Sequence, residues 1–155
     1  MATAADMAHP APATTPPRTP ATTASMGWTG WALRVVVSAH VVAIAGQPVF
    51  AGVYLTGDYD SLRWHAIGAD VLTSIGYLQV IAAIVVWVRL RQAGPFLATA
   101  AVVAAETVQY FAGLEGALWL HIPLGVMTVV ALVVQFIAVW RRPLLRREVR
   151  DARAR

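Results

Sequence analysis

Histidine and glutamine recur in this chain at intervals suited to a site built between helices. His65 is followed fourteen residues later by Gln79, and His121 fourteen residues later by Gln135. Fourteen residues are almost four helical turns, so each histidine shares a face with its glutamine, about 21 Å away along the axis. A matched set precedes each histidine: Gln47 with Phe50-Ala51-Gly52 before His65, and Gln109 with Phe111-Ala112-Gly113 before His121. The match reads as an internal duplication of a helical hairpin, with thirteen steps from Gly52 to His65 and eight from Gly113 to His121. Parallel repeats of this kind place His65 and His121 at equal depth.

Two neutral imidazoles at one depth, on non-adjacent helices, can hold the iron of a haem b from opposite faces. Gly68 and Gly125, one turn beyond the histidines, would let the flat porphyrin approach the backbone, and Arg63 would stand near its propionates. Axial ligation, burial and surrounding hydrogen bonds then set the redox potential, so the chemistry is electron transfer or redox sensing. Other polar residues form a seam. His40, Gln47 and Tyr54 recur at intervals of seven; Asp70, Thr73 and Tyr77 lie on a second face of the His65 helix; Glu106 and Gln109 precede Gly113; Gln79 and Gln135 end the series. Polar residues at such depth normally face a bundle interior. His40 falls at about the depth of Gln79 and Gln135 and reads as a hydrogen-bonded bundle residue. Asp70 and Glu106 read as structural hydrogen-bonding groups, or with His40 as the lining of a proton path or small-ligand cavity.

The elements that position these residues follow from composition. The chain is 58% hydrophobic and 13% charged, about half the charge of a soluble domain. A hydrocarbon core of about 30 Å needs roughly 20 apolar helical residues, and four stretches meet that length: 31–55, 66–88, 96–114 and 120–140. Short separators make neighbours antiparallel, which predicts an all-α, up-down-up-down transmembrane bundle over residues 28–140. With no cysteine there is neither a disulfide nor a thiolate metal site. Pro48 falls inside the first span and is expected to kink it, freeing a carbonyl.

Orientation follows from arginine. Eleven arginines flank one side (Arg18, Arg34, Arg89, Arg91 and seven between Arg141 and Arg155), against Arg63 on the other. The excess predicts that both termini are cytoplasmic, in the inner membrane of a bacterium whose basic residues are all arginine. Trp64 and Trp119 mark the outer boundary, Trp87 and Trp140 the inner. Residues 1–27 form an Ala/Pro/Thr-rich arm expected to be disordered; lacking the pattern of a signal peptide, they leave the first helix retained. The arginine tail over 141–155 is expected to attract anionic lipid headgroups, worth about 1 kcal/mol per charge, and implies no nucleic acid.

The run Gln47-x-x-x-Ala51-Gly52, Trp64-His65, then Gln109-x-x-Ala112-Gly113 and Leu120-His-Ile-Pro-Leu-Gly-Val126 resembles small four-helix membrane proteins of actinobacteria. Their bundle in turn looks like one half of a haem A synthase, or the histidine-bearing core of a cytochrome b561. The resemblance covers roughly Gln47 to Gln135. It implies that His65 and His121, near the outer ends of the second and fourth helices, carry the haem. There are departures: the synthase has eight helices, and its glutamate three residues before the second-helix histidine is replaced here by Leu62. Haem A synthesis by this chain alone is not implied. A two-haem cytochrome b561 needs four ligands at two depths, and His40 is the single inner candidate, so the resemblance implies one haem.

No hydrolase triad, metalloprotease motif, phosphate loop or nucleotide fingerprint occurs, which argues against a stand-alone enzyme. Two further classes stand beside the small cytochrome with its membrane redox partner. One is a cofactor-free protein that carries or binds a small solute through the polar seam. The other is an accessory subunit whose helices complete a larger membrane complex. The partner expected is a membrane redox partner or, in a homo-oligomer, a second copy of the chain.

Overall fold

The computed structural model describes residues 27–144; the arm over residues 1–26 and the arginine tail beyond Leu144 lie outside the described residues. Four α-helices follow one another: α1 (Trp28–Leu55), α2 (Asp60–Leu90), α3 (Ala93–Leu114) and α4 (Leu118–Arg141). Each is long and apolar enough to cross a membrane. A helix satisfies its backbone N–H and C=O groups internally, which the hydrocarbon interior requires. Over the described residues the chain is an all-α, four-helix membrane protein.

All four helices start before their apolar stretches, α2 by the most, and α2 and α4 also end a little beyond theirs. It begins at Asp60 rather than at residue 66. The Asp58 carboxylate accepts the Asp60 N–H at 3.2 Å, while Ser61 Oγ donates to the Asp58 carbonyl at 2.6 Å. These polar residues extend the helix past its apolar span, where counting apolar residues does not find it. His65 therefore sits inside the second turn of α2. α1 continues through Pro48 without a break.

The α1–α2 and α3–α4 connections, at the same end of the bundle, reverse in the same way. Gly57 after α1 and Gly116 after α3 take positive φ values of 100° and 69°, a conformation in which a side chain would be strained. At the second, the Ala117 N–H reaches back to the Ala112 carbonyl at 2.8 Å, the 6→1 bond of a Schellman cap. The turn between α2 and α3, at the opposite end, is only Arg91 and Gln92.

α1 packs on α2, α2 on α3, α3 on α4, and α4 closes the ring on α1. Arg34 of α1 fastens that closure. Its guanidinium donates to the Val139, Trp140 and Arg142 carbonyls at 3.3–3.4 Å and lies 5.0 Å from the Trp140 ring centre and 5.6 Å from that of Trp31. Leu33, Val37, Ile44, Leu72, Val86, Val102, Leu132 and Val139 fill the axis. Val42, Val49, Ile81, Leu97, Val126, Met127, Val130 and Val134 are exposed on the outside. A large apolar exterior around an axis that also holds buried polar side chains suits lipid as the solvent.

Candidate functional site

Polar side chains meet across the bundle axis at three levels. The level at the end that carries the Asp58 and Glu115 loops, called outer after the orientation expected from the arginines, is the histidine pair. His65 of α2 and His121 of α4 stand across the bundle with ring centres 6.1 Å apart and planes at 74°. Both are half-buried. His65 Nδ1 donates to the Gln47 carbonyl at 3.2 Å, and His121 Nδ1 donates to the Gln109 carbonyl at 2.8 Å. A carbonyl only accepts, so each ring carries its hydrogen on Nδ1 and keeps the Nε2 lone pair. The Gln109 amide nitrogen approaches the Nε2 of His121 at 3.4 Å.

The glutamines also occupy the glycine notches. A Cβ on Gly68 would collide with the Gln47 amide nitrogen, and one on Gly125 would come within 3.3 Å of the Gln109 amide nitrogen. Gln47 Oε1 is buried there with no hydrogen-bond partner. Each glycine thus makes room for the glutamine of the same hairpin. Arg63 lies exposed in the first turn of α2, two residues before His65 and so roughly 200° around the helix from it.

The middle level is His40 of α1 against Glu106 of α3. His40 Nε2 lies 3.3 Å from Glu106 Oε1, and both residues are buried. Gly76 of α2 opens the space between them: a Cβ there would stand 3.3 Å from His40 Cε1, 3.4 Å from Glu106 Oε2 and 3.4 Å from Val103 Cγ2. His40 Nδ1 donates to Gln79 Oε1 at 2.9 Å.

The inner level continues from Gln79. Its amide nitrogen donates to Gln135 Oε1 at 3.1 Å and to Thr99 Oγ1 at 3.4 Å. The Gln135 amide in turn donates to Thr99 Oγ1 and, at 3.5 Å, to the Pro95 carbonyl. The structure thus joins His40, Gln79, Glu106 and Gln135 in one network, and Gln47, Gln109, His65 and His121 in another.

Asp70 belongs to neither. It is exposed on the outer face of α2, where Tyr110 OH donates to its Oδ1 at 2.8 Å. The two line a cleft of about 280 Å3 between α2 and α3, with Thr73, Tyr77 and Phe111. Sequence reasoning grouped Asp70 with Thr73 and Tyr77, and those three do share this face, away from His40.

Thr99 was missed as a member of the inner network. It lies seven residues before Glu106, on the stripe that runs through Glu106, Gln109 and Gly113, and extending that stripe by two turns finds it. The contact between Gly113 and His121 was missed too, since nothing in the spacing distinguishes Gly113 from Gly52. Among the described residues no three histidine or carboxylate side chains cluster as a metal site. No family model, no curated protein and no solved structure matches this chain, so the likeness to haem A synthase halves rests on the motif residues alone.

Proposed function

We propose that this chain is a small b-type cytochrome of the inner membrane, built from two duplicated hairpins with both termini cytoplasmic, and that it binds one haem between His65 and His121. The observation that carries the reading is the pair of opposed imidazoles with their matched anchors. Two imidazoles that grip one metal end-on, with metal–nitrogen bonds of about 2.0–2.1 Å, hold their ring centres roughly 6 Å apart, and the observed separation is 6.1 Å. Hydrogen bonds from Nδ1 to carbonyls orient metal-binding histidines; Nε2 of His121 would be open to the metal once the Gln109 amide, 3.4 Å from it, turns away. Two side chains are too few to hold a bare ion, whereas a porphyrin supplies four ligands of its own and needs only two axial ones. The unpartnered Gln47 Oε1 beside Gly68 marks a side chain that gains by moving aside.

The likeness between hairpins supports the duplication. Gln47 serves His65 as Gln109 serves His121, and Gln79 meets Gln135 across the same axis. A bound haem would supply a one-electron iron couple. The chain's own work is to hold two neutral imidazoles in one tautomer, to exclude water from the axis with the surrounding apolar residues, and to present the site at the outer end of the bundle. The polar inner levels separate that site from the opposite surface, which suits electron transfer or redox sensing on the outer side.

Haem stoichiometry tests the reading. Protein expressed with ample haem and purified in detergent should contain one haem b per chain. A folded protein with none returns the chain to a cofactor-free role, as a solute binder or an accessory subunit.

A further inference from the structure

The bundle axis holds a second ionisable site that the histidine pair does not use. His40 is fully enclosed, and Glu106 is 6% exposed. Gln79 fixes the imidazole: its amide nitrogen is committed to Gln135 and Thr99, so the Oε1 that faces His40 Nδ1 accepts a hydrogen from it. On the other side, Nε2 and Glu106 Oε1 lie 3.3 Å apart without the alignment of a hydrogen bond, and both they and Oε2 are buried with no hydrogen-bond partner. One proton shared by Nε2 and Oε1 leaves the pair neutral overall, as imidazole with carboxylic acid or as imidazolium with carboxylate. Oε2, beside the notch at Gly76, then has capacity for one more. Buried polar atoms in this state are uncommon and call for an explanation.

We infer that His40 and Glu106 form a proton-binding site that takes up a proton when negative charge arrives at the outer histidine level; the coupling rests on the haem reading above. Glu106 lies one helical turn from Gln109, a rise of about 4.5 Å, and the Gln109 carbonyl holds His121. Charges so placed act through a low-dielectric interior and are screened little. The groups bonded to or notched against the pair carry no charge: Gly76 and Gln79 of α2, with Thr99 of α3 and Gln135 of α4 behind Gln79. Of the other titratable groups of α2 and α3, Asp70 and Tyr110 pair with each other on the exposed face. Among the described residues His40 and Glu106 are the only buried titratable side chains, so compensation within the axis falls to them. In the step, a one-electron reductant would deliver one electron to the outer site, and solvent hydronium would pass one proton to the pair: one O–H bond of hydronium breaks, releasing water, as one N–H or O–H bond of the pair forms. The pair ends as imidazolium beside carboxylic acid.

The test is a potentiometric titration of the full-length, haem-loaded protein at several pH values, with dithionite as reductant, for wild type and Glu106→Gln. One proton per electron makes the midpoint fall by up to about 59 mV per pH unit, the conversion of a tenfold change for a one-electron couple. Wild type should approach that slope, and Glu106→Gln should flatten it while keeping the wild-type visible spectrum. Equal slopes in the two proteins, or a flat wild type, overturn the inference. Should Glu106→Gln fail to fold, infrared difference spectra of wild type read the same event, because reduction must change a buried carboxyl band. A constant carboxyl region overturns it. A colourless protein defeats the haem reading instead, and the proton site is then judged alone. A carboxyl band that titrates with pH in wild type, is missing from Glu106→Gln and titrates differently in His40→Gln supports it, and the lack of such a band in wild type overturns it.

Discussion

The two histidines of the outer level differ in how tightly they are held. A Cβ on Gly113 would stand 2.8 Å from both Cε1 and Nδ1 of His121, whereas one on Gly52 would meet nothing within 4 Å. His121 cannot retreat easily, because its Nδ1 is tied to the Gln109 carbonyl. Gly113→Ala should therefore displace the ring and lower haem content, while Gly52→Ala should leave it unchanged; haem-to-protein ratios of the two variants check this. The inner network makes a second demand. Gln79→Leu removes the acceptor of His40 and a donor to Gln135 and Thr99. Leaving such buried groups unpaired costs about 1–3 kcal/mol, which thermal unfolding in detergent should register as a lower midpoint.

Much of this network was legible in the spacing. Intervals of fourteen in α2 and α4 placed His65 with Gln79 and His121 with Gln135 on single faces, and one ring of four helices lets those faces meet across the axis. The side taken by Asp70 was not legible. In a helix apolar on nearly every face, a single carboxylate does not mark the inside, and its partner Tyr110 lies on another helix. The glutamine side chains in the notches at Gly68 and Gly125 were likewise beyond reach, since a glycine in sequence signals room without saying what fills it.

At the scale of elements, apolar length located four spans and gave their boundaries only as far as apolarity extends. Asp58 and Ser61 carry α2 outward past that limit. Arg34 shows a related blind spot. As a charge near the end of the first span it reads as a topology signal, yet it also ties α1 to the last turn of α4 through three carbonyls and two indole rings. Charged hydrogen bonds and cation–π contacts each contribute about 0.5–3 kcal/mol. Arg34→Ala should destabilise the bundle by about 1–3 kcal/mol. Arg34→Lys should recover only part, because an ammonium cannot reproduce the planar fork. Unfolding midpoints of both variants, compared with wild type, decide the point.

At the scale of the whole molecule, two arrangements act together. The exterior is apolar on all four helices, and the axis carries histidine, glutamine, threonine and glutamate in three levels. The arginine excess on one side predicts which end of that axis faces the cytoplasm. Reporter fusions after Arg91 and Arg155 should both report cytoplasm, and one near Asp60 should report the outside. A tail reporting outside would invert the axis and move the histidine pair to the cytoplasmic surface.

The central claim is that His65 and His121 together hold one haem iron, and a reduced-minus-oxidised visible spectrum tests it most directly. Wild-type protein, expressed with ample haem, should give the sharp low-spin bands of a b-type centre with two imidazole ligands. His65→Ala and His121→Ala should each abolish or severely weaken those bands, since each removes one axial bond. His40→Ala should leave them largely intact, because His40 bonds to Gln79 and lies beside Glu106, away from the outer level of the axis. A folded wild-type protein without colour, or bands that survive the loss of either outer histidine, would contradict the account.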